Sequence, residues 1–504
     1  MTAPSRRRRT LRRTLNLRPD QLSGQFQLLL DDGFRLALVA GHDDGDAIRV
    51  VYLLTRAADD QRAEIHVHLD HAEPRLPSLA HISFPAGRFE REVADMFGVK
   101  LVGHPLTRRL VRHQHWPESW YPMRDDAGPR PPMVDNAAPF PFLAVDGPGV
   151  YEIPVGPVHA GVIEPGHFRF SVVGETIITM KARLWFTHKG VEKLFEGRSP
   201  QEGVELAERI SGDTAVGHNL AYCLALEDAT DTSVPRAGQY LRALLLELER
   251  LYNHAGDIGG LANDVGYPVI NAHALRIRER LMRLNRRITG HRLLRGAIIP
   301  GGASVHALPE RSELEEIAAD LADLADIAVS STTVVDRFTG TGILEREQAL
   351  DLGTLGYVAR ACDLDIDARR DHPFCDLSDV LRVVVHHAGD VMARFACRRD
   401  EFAISTELLT CLLDHLATAD GEPTHAPLGL PTTSTSGVGI VEGWRGTIVH
   451  RVELDASSQL TRVKVVDPSF FNWPAVPVAL ADTIVPDFPL INKSFNLSYA
   501  GNDL

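Results

Sequence analysis

A stretch rich in proline and glycine, residues 126–149, divides this chain of 504 residues into a short first part and a long second part. Its breakers are Pro129, Pro131, Pro132, Pro139, Pro141 and Pro148, with Gly128, Gly147 and Gly149 among them. Proline lacks the amide proton that helices and inner strands need, and glycine favours turns. The sequence therefore predicts a linker between a domain at residues 22–125 and a larger one at residues 150–504.

The composition is that of a soluble globular protein, with 44% hydrophobic and 24% charged residues. A net charge of -14 argues against nucleic-acid binding by the protein as a whole. No apolar run approaches the length needed to cross a bilayer, so membrane association would come through partner subunits or the surface. The five cysteines include no Cys-x-x-Cys pair, which is typical of reduced thiols in the cytoplasm.

The N-terminus is strongly basic, with Arg6, Arg7, Arg8, Arg9, Arg12 and Arg13. Residues 1–21 are predicted to be a solvated, disordered tail, with contact to an anionic lipid or an acidic partner as the alternative. A twin-arginine export signal is not expected, because no apolar stretch follows the arginines.

Residues 22–125 are predicted to form a small α+β domain. The β-rich runs 48–54 and 64–69 alternate with polar turns. The later block Glu90-Arg91-Glu92-Val93-Ala94-Asp95-Met96-Phe97-Gly98 resembles the signature of the small hydrophilic subunit of respiratory complex I, which lies beside the quinone-site subunit. Without that resemblance, Glu90, Glu92 and Asp95 would form a charged helix face; with it, we expect a docking role rather than catalysis.

The second part contains Arg209-Ile-Ser-Gly-Asp-Thr-Ala-Val-Gly-His218. It resembles the first metal-binding motif of nickel–iron hydrogenase large subunits, Arg-x-Cys-Gly-x-Cys-x-x-x-His. The two cysteine positions are Ser211 and Thr214. Nickel needs soft thiolate donors, and hydroxyls are harder ligands that stay neutral near pH 7.

The second hydrogenase motif, Asp-Pro-Cys-x-x-Cys, aligns with residues 496–501 near the end of the chain. Its cysteine positions become Ser498 and Gly501. All four thiolates are thus replaced, and the chain is expected to bind no metal itself.

Residues 150–504 resemble the family shared by complex I quinone-site subunits and nickel–iron hydrogenase large subunits. The likeness is greatest to formate-hydrogenlyase-type enzymes, which carry the same fusion of two domains. It implies proton relay from Glu192, a role for His218 beside the site, and Arg445 over the metal position. The alternative is a relict ion-pair network, including Asp213, that stabilises the cavity wall.

The same resemblance implies a quinone cavity near His159, in a Gly-Pro-x-His segment, with His167 further on. In complex I a tyrosine also contacts the quinone head, and its position here is Gly212. Glycine cannot donate a proton as a phenol does. Tyr499 or Tyr222 could take that role only if the fold brings one of them into the cavity.

The predicted fold class is α+β: a small N-terminal α+β domain, then a large, mainly helical, hydrogenase-large-subunit-like domain with a small β-sheet. Residues 201–335 and 376–418 are predicted as mainly helical, and one helix should start after Ser233 and carry His254 near its end. Residues 421–437 are predicted as a loop before two strands.

The resemblance implies a subunit of a membrane-associated respiratory oxidoreductase complex, held peripherally on the cytoplasmic side by its partners. Those partners would be an iron–sulfur subunit, which carries the cluster, and membrane-arm subunits. This chain would bind no cofactor except a quinone and would not be catalytic alone. The alternative is a non-catalytic structural or assembly subunit.

Overall fold

The computed structural model describes residues 12–135, 137–159 and 163–504. The chain separates into two compact units, Met1–Ala144 and Val145–Leu504. The division falls inside the stretch predicted as a linker, where the described residues between 128 and 149 form no helix or strand.

The first unit is built on a four-stranded sheet with strand order β1-β4-β3-β2. Its elements are β1 Arg12–Leu17, α1 Leu22–Asp31, β2 Arg35–Asp43, β3 Ala47–Arg56, β4 Gln61–Asp70, β5 Arg75–Pro77, α2 Phe84–Phe97 and β6 Lys100–Val102. The predicted runs 48–54 and 64–69 lie within β3 and β4. Phe26 of α1 and Tyr52 of β3 are fully buried, which places the core between this helix and the sheet.

The N-terminal tail prediction is wrong for residues 12–17. These residues form β1, which pairs in parallel with β4 from Arg12↔Arg62 to Leu17↔Val67. The physical reason is that β4 would otherwise leave a row of backbone groups unpaired at the sheet edge. Arg12 also lies 3.7 Å from the buried Glu64 carboxylate. Residues 6–9 lie outside the described part of the chain.

The acidic block at residues 90–98 belongs to α2, and Glu90 does not lie on an exposed charged face. Its side chain is fully buried. Its carboxyl accepts hydrogen bonds from the Tyr52 hydroxyl at 3.1 Å and the Leu79 amide at 2.8 Å, and lies 2.6 Å from the Ser78 hydroxyl. Glu90 therefore ties the segment before α2 to the sheet.

Asp95 has a similar structural role one turn later. One carboxylate oxygen accepts from the backbone amides of Leu110, Val111 and Arg112 at 2.8, 2.7 and 3.2 Å. Two of the three acids thus fasten loops onto α2, because a buried carboxylate needs hydrogen-bond donors. For Glu90 and Asp95 the charged-face interpretation is wrong.

The second unit opens with an antiparallel sheet, β7-β8-β9, and continues mainly as helices. The elements are β7 Val150–Val155, β8 His167–Val173, β9 Thr176–Arg183, α3 Val191–Phe195, α4 Pro200–Ala207, α5 Ala215–Ala229, α6 Arg236–Asp264, α7 Pro268–Thr289, β10 Ile298–Ile299, β11 Gly302–Ala303, α8 Arg311–Ser330, α9 Thr332–Phe338, α10 Arg346–Asp351, α11 Gly356–Arg360, α12 Ala368–Asp371 and α13 Val391–Thr418. After these come β12 Thr435–Gly443, β13 Gly446–Leu454, β14 Leu460–Val466, α14 Pro468–Asn472, α15 Ala475–Ala479, α16 Phe488–Phe495 and α17 Tyr499–Asp503.

Helix α6 begins after Pro235, close to the predicted start, but it runs on to Asp264. His254 is therefore a buried mid-helix residue rather than one near a helix end. The helix buries its leucines at helical spacing, including Leu241, Leu244, Leu248 and Leu251. The mixed α+β class is confirmed.

Strand β12 starts inside the region predicted as a loop, so that prediction is wrong for residues 435–437. The strand was not predicted because its glycines have low strand propensity. Glycine is needed at these positions because α5 packs very closely on the strand. A Cβ on Gly437 or Gly439 would lie 2.0 or 1.9 Å from a carbonyl oxygen of α5. The glycines let the helix and the sheet β12-β13-β14 touch at the backbone.

None of the helices that the structure describes combines the length and the apolar character required to span a bilayer.

Candidate functional site

Two segments that are far apart in the sequence meet in the second unit. Ser211 lies in the turn before α5, and Ser498 caps α17 by accepting a hydrogen bond from the Gly501 amide at 2.8 Å. The Ser211 and Ser498 hydroxyl oxygens are 2.8 Å apart, although 287 residues separate them. The structure therefore brings the two degenerate motifs together.

Arg445 and Asp213 form a two-pronged ion pair at the same place. The Arg445 guanidinium donates to both Asp213 carboxylate oxygens, at 2.6 and 2.7 Å. Ser211 and Thr214 donate their hydroxyl protons to the same carboxylate, each at 3.0 Å. Burial alone would raise the pKa of Asp213, but the charge and hydrogen bonds of Arg445 outweigh it and hold that pKa below its ordinary value. We call Ser211, Asp213, Thr214, Arg445 and Ser498 the cradle.

Trp444 covers one side of the cradle. The Arg445 guanidinium carbon lies 3.9 Å from the centroid of the Trp444 ring, which is a cation–π distance. The indole nitrogen donates to the Thr214 hydroxyl at 3.1 Å. Arg445 also donates to the carbonyl of Asn496 at 2.6 Å, so the turn between β12 and β13 is fixed against the C-terminal segment.

Asp467 takes the space next to Gly501. A Cβ on Gly501 would lie 2.5 Å from an Asp467 carboxylate oxygen. That carboxylate is held by His218, at 3.0 Å, and by the Ser469 amide, at 2.7 Å. Burial alone would raise the pKa of Asp467. The hydrogen bond and charge of His218 outweigh burial, so the pKa lies below its ordinary value.

His218 links Asp467 to His450 on β13. The facing nitrogens of His218 and His450 are 3.1 Å apart, and both side chains are fully buried. Burial, helped by the charge of His218, holds the pKa of His450 well below its ordinary value. His450 is therefore neutral at physiological pH. His218 thus lies within this buried network, one step from the cradle.

The residues of the cradle do not fit a nickel–iron centre. Three of the four positions aligned with cysteines carry hydroxyls, and the fourth, Gly501, has no side chain; the two serine hydroxyls are hydrogen-bonded to each other. Hydroxyls stay protonated near neutral pH and are hard donors, whereas nickel sites are built from soft thiolates. The Arg445 guanidinium beside them would also repel a second cation.

Glu192, predicted to relay protons, lies on α3 and faces β14. Its carboxylate accepts from the Arg462 guanidinium at 2.7 Å and the Val465 amide at 3.0 Å, and Lys464 Nζ is 3.1 Å away. Burial opposes ionisation, but the two cations prevail and lower the pKa of Glu192 to about 2. A carboxylate with that pKa carries no proton near neutral pH, so the geometry favours an ion-pair role in the wall.

The two histidines predicted to contact a quinone each bond to the backbone of the segment that carries the other. His159 Nε2 is 2.7 Å from the carbonyl oxygen of Gly166, and His167 Nδ1 is 3.0 Å from that of Gly156. The His159 ring lies 5.8 Å from the Phe168 ring. Each ring therefore has one nitrogen committed to the backbone.

The position of the missing tyrosine is open. A Cβ on Gly212 would meet no described atom within 4 Å. Tyr222 is turned away from the cradle and donates to the Pro200 carbonyl at 2.8 Å. Tyr499 instead packs against Gly166, 2.6 Å from the place of a Cβ there. Burial raises the pKa of Tyr499 to about 12, which keeps its phenol protonated.

The sequence patterns did not indicate Asp467 or His450 as site residues. Asp467 stands directly before Pro-Ser-Phe-Phe-Asn-Trp-Pro, and the polar pair Asp467 and Ser469 next to an aromatic run was the available signal. His450 lies in an apolar strand, where a lone histidine suggests a core contact. Only the fold shows that it continues the line from Asp467 through His218.

Three protein-family models match parts of this chain. Residues 264–433 match the model of the respiratory-chain NADH dehydrogenase 49 Kd subunit, residues 15–132 match that of the 30 Kd subunit, and residues 189–256 match that of nickel-dependent hydrogenase.

Two curated relatives come from Escherichia coli. Formate hydrogenlyase subunit 5 is 31% identical over 451 residues, which cover 87% of this chain and 79% of the relative. Hydrogenase-4 component G is 30% identical over 507 residues, which cover 97% of this chain and 87% of the relative. A chain of an archaeal membrane-bound sulfane sulfur reductase has the same fold, with a TM-score of 0.64 and 24% identity over 71% of this chain and 99% of that one.

Proposed function

This chain belongs to the family of formate hydrogenlyase subunit 5 and hydrogenase-4 component G, and we propose that it is a subunit of a membrane-associated respiratory complex that works without a nickel–iron centre in this chain. It docks an iron–sulfur partner and lines the cavity where that partner's electrons reach an acceptor. Both relatives are named as components of multisubunit enzymes, which supports a role inside an assembly rather than alone.

The observation that carries the proposal is the contact between Ser211 and Ser498. Both motif segments converge as a metal cradle requires, but hydroxyls meet where thiolates would bind. In the cradle, the negative charge of Asp213 is balanced by the positive charge of Arg445. A retained shape without sulfur favours a reaction in which the redox centre belongs to the partner.

We propose a quinone as the acceptor and His159 as the group that holds it. The support is twofold: the His159 ring stands beside the aromatic Phe168, and the place of the tyrosine at Gly212 is free of described atoms. A histidine beside an aromatic ring suits a flat ring with carbonyl groups. The partner's iron–sulfur cluster supplies the electrons, and this chain positions the acceptor.

We further propose that the chain lies on the cytoplasmic side of the membrane, held there by membrane-arm subunits. Its own described helices include none suited to cross a bilayer, so its attachment depends on the partners.

A structural or assembly subunit is the second candidate, and two contacts favour it. The polar groups of the cradle satisfy one another, and Glu192 is locked by Arg462 and Lys464 with a pKa of about 2. Such a network stabilises a wall without doing chemistry.

The test is to purify the full-length chain from membranes with mild detergent, through a tag added at its own locus. Its companions are identified by mass spectrometry, and nickel and iron are measured per chain. We expect an iron–sulfur protein, integral membrane subunits and iron, but no stoichiometric nickel. The reduced complex should pass electrons to a water-soluble quinone, and His159→Ala should slow this at least tenfold.

His273→Ala is the matched control, because His273 is exposed on α7 and should leave the rate unchanged. Stoichiometric nickel, or a chain that purifies without an iron–sulfur companion, would refute the proposal. A complete complex that reduces no quinone would support the structural alternative.

A further inference from the structure

Seven charged side chains lie together in the interior, between α6, α11, α13 and β12. They are Glu247, Arg250, Arg360, Asp367, Arg369, Glu401 and Glu442, and each is at most 6% exposed. We call them the internal charge cluster. It contains four carboxyls and three guanidiniums, so full ionisation would leave one uncompensated negative charge in a place that water does not reach. Such a charge is costly enough that the group usually binds a proton instead.

Three of the carboxyls each accept hydrogen bonds from a different guanidinium. Asp367 accepts from Arg369 at 2.7 and 3.0 Å. Glu247 accepts from Arg250 at 3.1 Å. In the third pair, Glu401 accepts two bonds from Arg360, at 2.6 and 2.9 Å. Arg369 also donates to Glu247, at 3.2 and 3.3 Å. Three guanidiniums can balance the charge of these three carboxylates but not that of a fourth.

Glu442 is the carboxyl left over. Its cationic neighbour is Arg360, at 2.8 Å, and that guanidinium already serves Glu401 and lies 3.6 Å from Asp367. The second oxygen of Glu442 lies 2.8 Å from the Thr447 hydroxyl. A hydroxyl can accept as well as donate, so a protonated Glu442 has a partner for its O–H.

His254 is the other group that could take the extra proton, because its Nε2 lies 2.9 Å from Glu401. Its Nδ1, however, is buried and meets no acceptor in the described part of the chain. A second ring proton would therefore be left unbonded, and burial lowers the pKa of His254. The remaining charged neighbours have their own partners: Arg398 pairs with Asp257 and Asp371 with Arg370, each at 2.8 Å.

We propose that Glu442 is a neutral carboxylic acid at physiological pH and holds an exchangeable proton at the base of the turn that carries Trp444 and Arg445, whereas the sequence suggested a proton relay at Glu192. Burial, together with the negative charge of Asp367, raises the pKa of Glu442 above its ordinary value. Guanidiniums hold the pKa values of Glu247 and Glu401 below theirs, although burial opposes this.

The backbone connects Glu442, which holds the proposed proton, to Arg445 of the cradle. Arg250 donates to the carbonyls of Glu442 and Gly443, at 2.8 and 3.1 Å, and the chain then turns into Trp444 and Arg445. Ionisation of Glu442 would set a third carboxylate against Arg360 at the base of this turn. The protonation of Glu442 stands independently of any partner, whereas its use in coupling electron and proton transfer rests on the proposed function.

Infrared difference spectroscopy tests the proposal on the purified full-length chain. At pH 7 the wild type should show the C=O stretch of protonated carboxylic acids, shifted in heavy water, and Glu442→Gln should lose part of this band. Burial raises the pKa of Glu90 to about 7 and that of Glu249 to about 8, so these two carboxyls account for the part that remains. Persistence of the whole band in Glu442→Gln would overturn the proposal, because the proton would then lie elsewhere.

Thermal unfolding gives a second, independent readout. Glutamine keeps the bond from Arg360 and can donate to Thr447, losing only the weaker bond from the Ala368 amide at 3.1 Å. Glu442→Gln should therefore keep its melting temperature within a few degrees at pH 7. Glu401→Gln and Glu247→Gln, at equally buried sites, should lose far more or fail to fold, because each strands a guanidinium.

The dependence of stability on pH gives a third readout. Because the folded-state pKa of Glu442 is raised, its stabilising contribution is complete below its unfolded pKa and is lost as pH rises through the folded value. The wild type should thus lose stability relative to Glu442→Gln as pH increases. Equal losses in Glu442→Gln and Glu401→Gln at pH 7, or a wild type that gains on Glu442→Gln as pH rises, would refute the assignment.

Discussion

The Asp467 carboxylate lies where a side chain on residue 501 would have to be, 2.5 Å from the position of its Cβ. The space that a side chain at residue 501 would need is thus filled by Asp467, which directly follows β14. Asp467 is held there by His218 and by the Ser469 amide, so it has little freedom to move aside.

The first prediction follows from that contact. Gly501→Ala should destabilise the protein by about 1–3 kcal/mol, because the new methyl group overlaps a fixed carboxylate. Urea unfolding of the full chain measures the change. Gly212→Ala is the control, since its methyl group meets no described atom within 4 Å and should shift stability by less than about 0.5 kcal/mol. Equal losses in the two variants would contradict the overlap.

The second prediction concerns the unequal exposure of the cradle's ion pair. The Arg445 side chain is 4% exposed, and that of Asp213 is 36% exposed. Asp213→Asn strands a buried guanidinium and should cost about 3 kcal/mol or more. Arg445→Gln leaves a carboxylate that water can reach, and should cost about 1 kcal/mol. Chemical denaturation of both variants should show this order; the reverse order would mean that the pair is solvated from the arginine side.

The third prediction separates the two interpretations of Glu192. Glu192→Gln removes the carboxylate charge that the buried Arg462 and Lys464 contact at 2.7 and 3.1 Å, and breaking this buried ion pair should cost about 3 kcal/mol or more. Since its folded pKa is lowered to about 2, its stabilising contribution is present above its unfolded pKa and is lost as pH falls toward 2. The difference between wild type and variant should therefore shrink in acid, as measured by denaturation at pH 7 and pH 3.

The exposed Glu205, paired with Arg209 on the surface, provides the matched substitution. Glu205→Gln should change stability by less than about 1 kcal/mol. A Glu192→Gln complex that keeps its stability but loses proton transport would restore the relay.

The fourth prediction concerns Glu90 in the first unit. Burial raises its pKa to about 7, and its hydrogen bonds only partly offset that. A raised carboxyl pKa means that its contribution to stability is complete below its unfolded pKa and is lost as pH rises through about 7. Glu90→Gln should match the wild type at pH 4 and exceed it by roughly 3 kcal/mol at pH 8, because glutamine can keep the contact with the Ser78 hydroxyl and carries no charge at either pH.

Unfolding of full-length wild type and Glu90→Gln across this pH range checks the prediction. Glu73→Gln is a suitable comparison, since Glu73 is exposed and pairs with Arg75 and Lys100. A wild type that becomes more stable than Glu90→Gln at pH 8 would show that Glu90 is ionised in the folded protein.

The sequence was most informative where spacing within one segment decides the outcome. The α+β class follows from local patterns, and the motif frame around Ser211 led to a contact with Ser498. Asp467 could not be found in this way, because nothing local shows which side chain enters the gap beside Gly501.

The errors have physical causes. The strand at residues 12–17 was predicted as a tail because of its arginines. Its pairing with the edge of β4 cannot be inferred from the local sequence. The start of β12 was predicted as a loop because of its glycines, which here allow backbone contact with α5. Helical periodicity placed Glu90 and Asp95 on one side of α2, but it contains no information about the loops that cover that side.

The contact between the Ser211 and Ser498 hydroxyls also has a consequence for synthesis of the chain. Ser498 is made 287 residues after Ser211, which at about 5–20 residues per second is an interval of roughly 15–60 s on the ribosome. During that time the loop that carries Ser211 and Asp213 lacks its partner segment. The incomplete cradle is then accessible to a chaperone or maturation factor that binds it before translation ends.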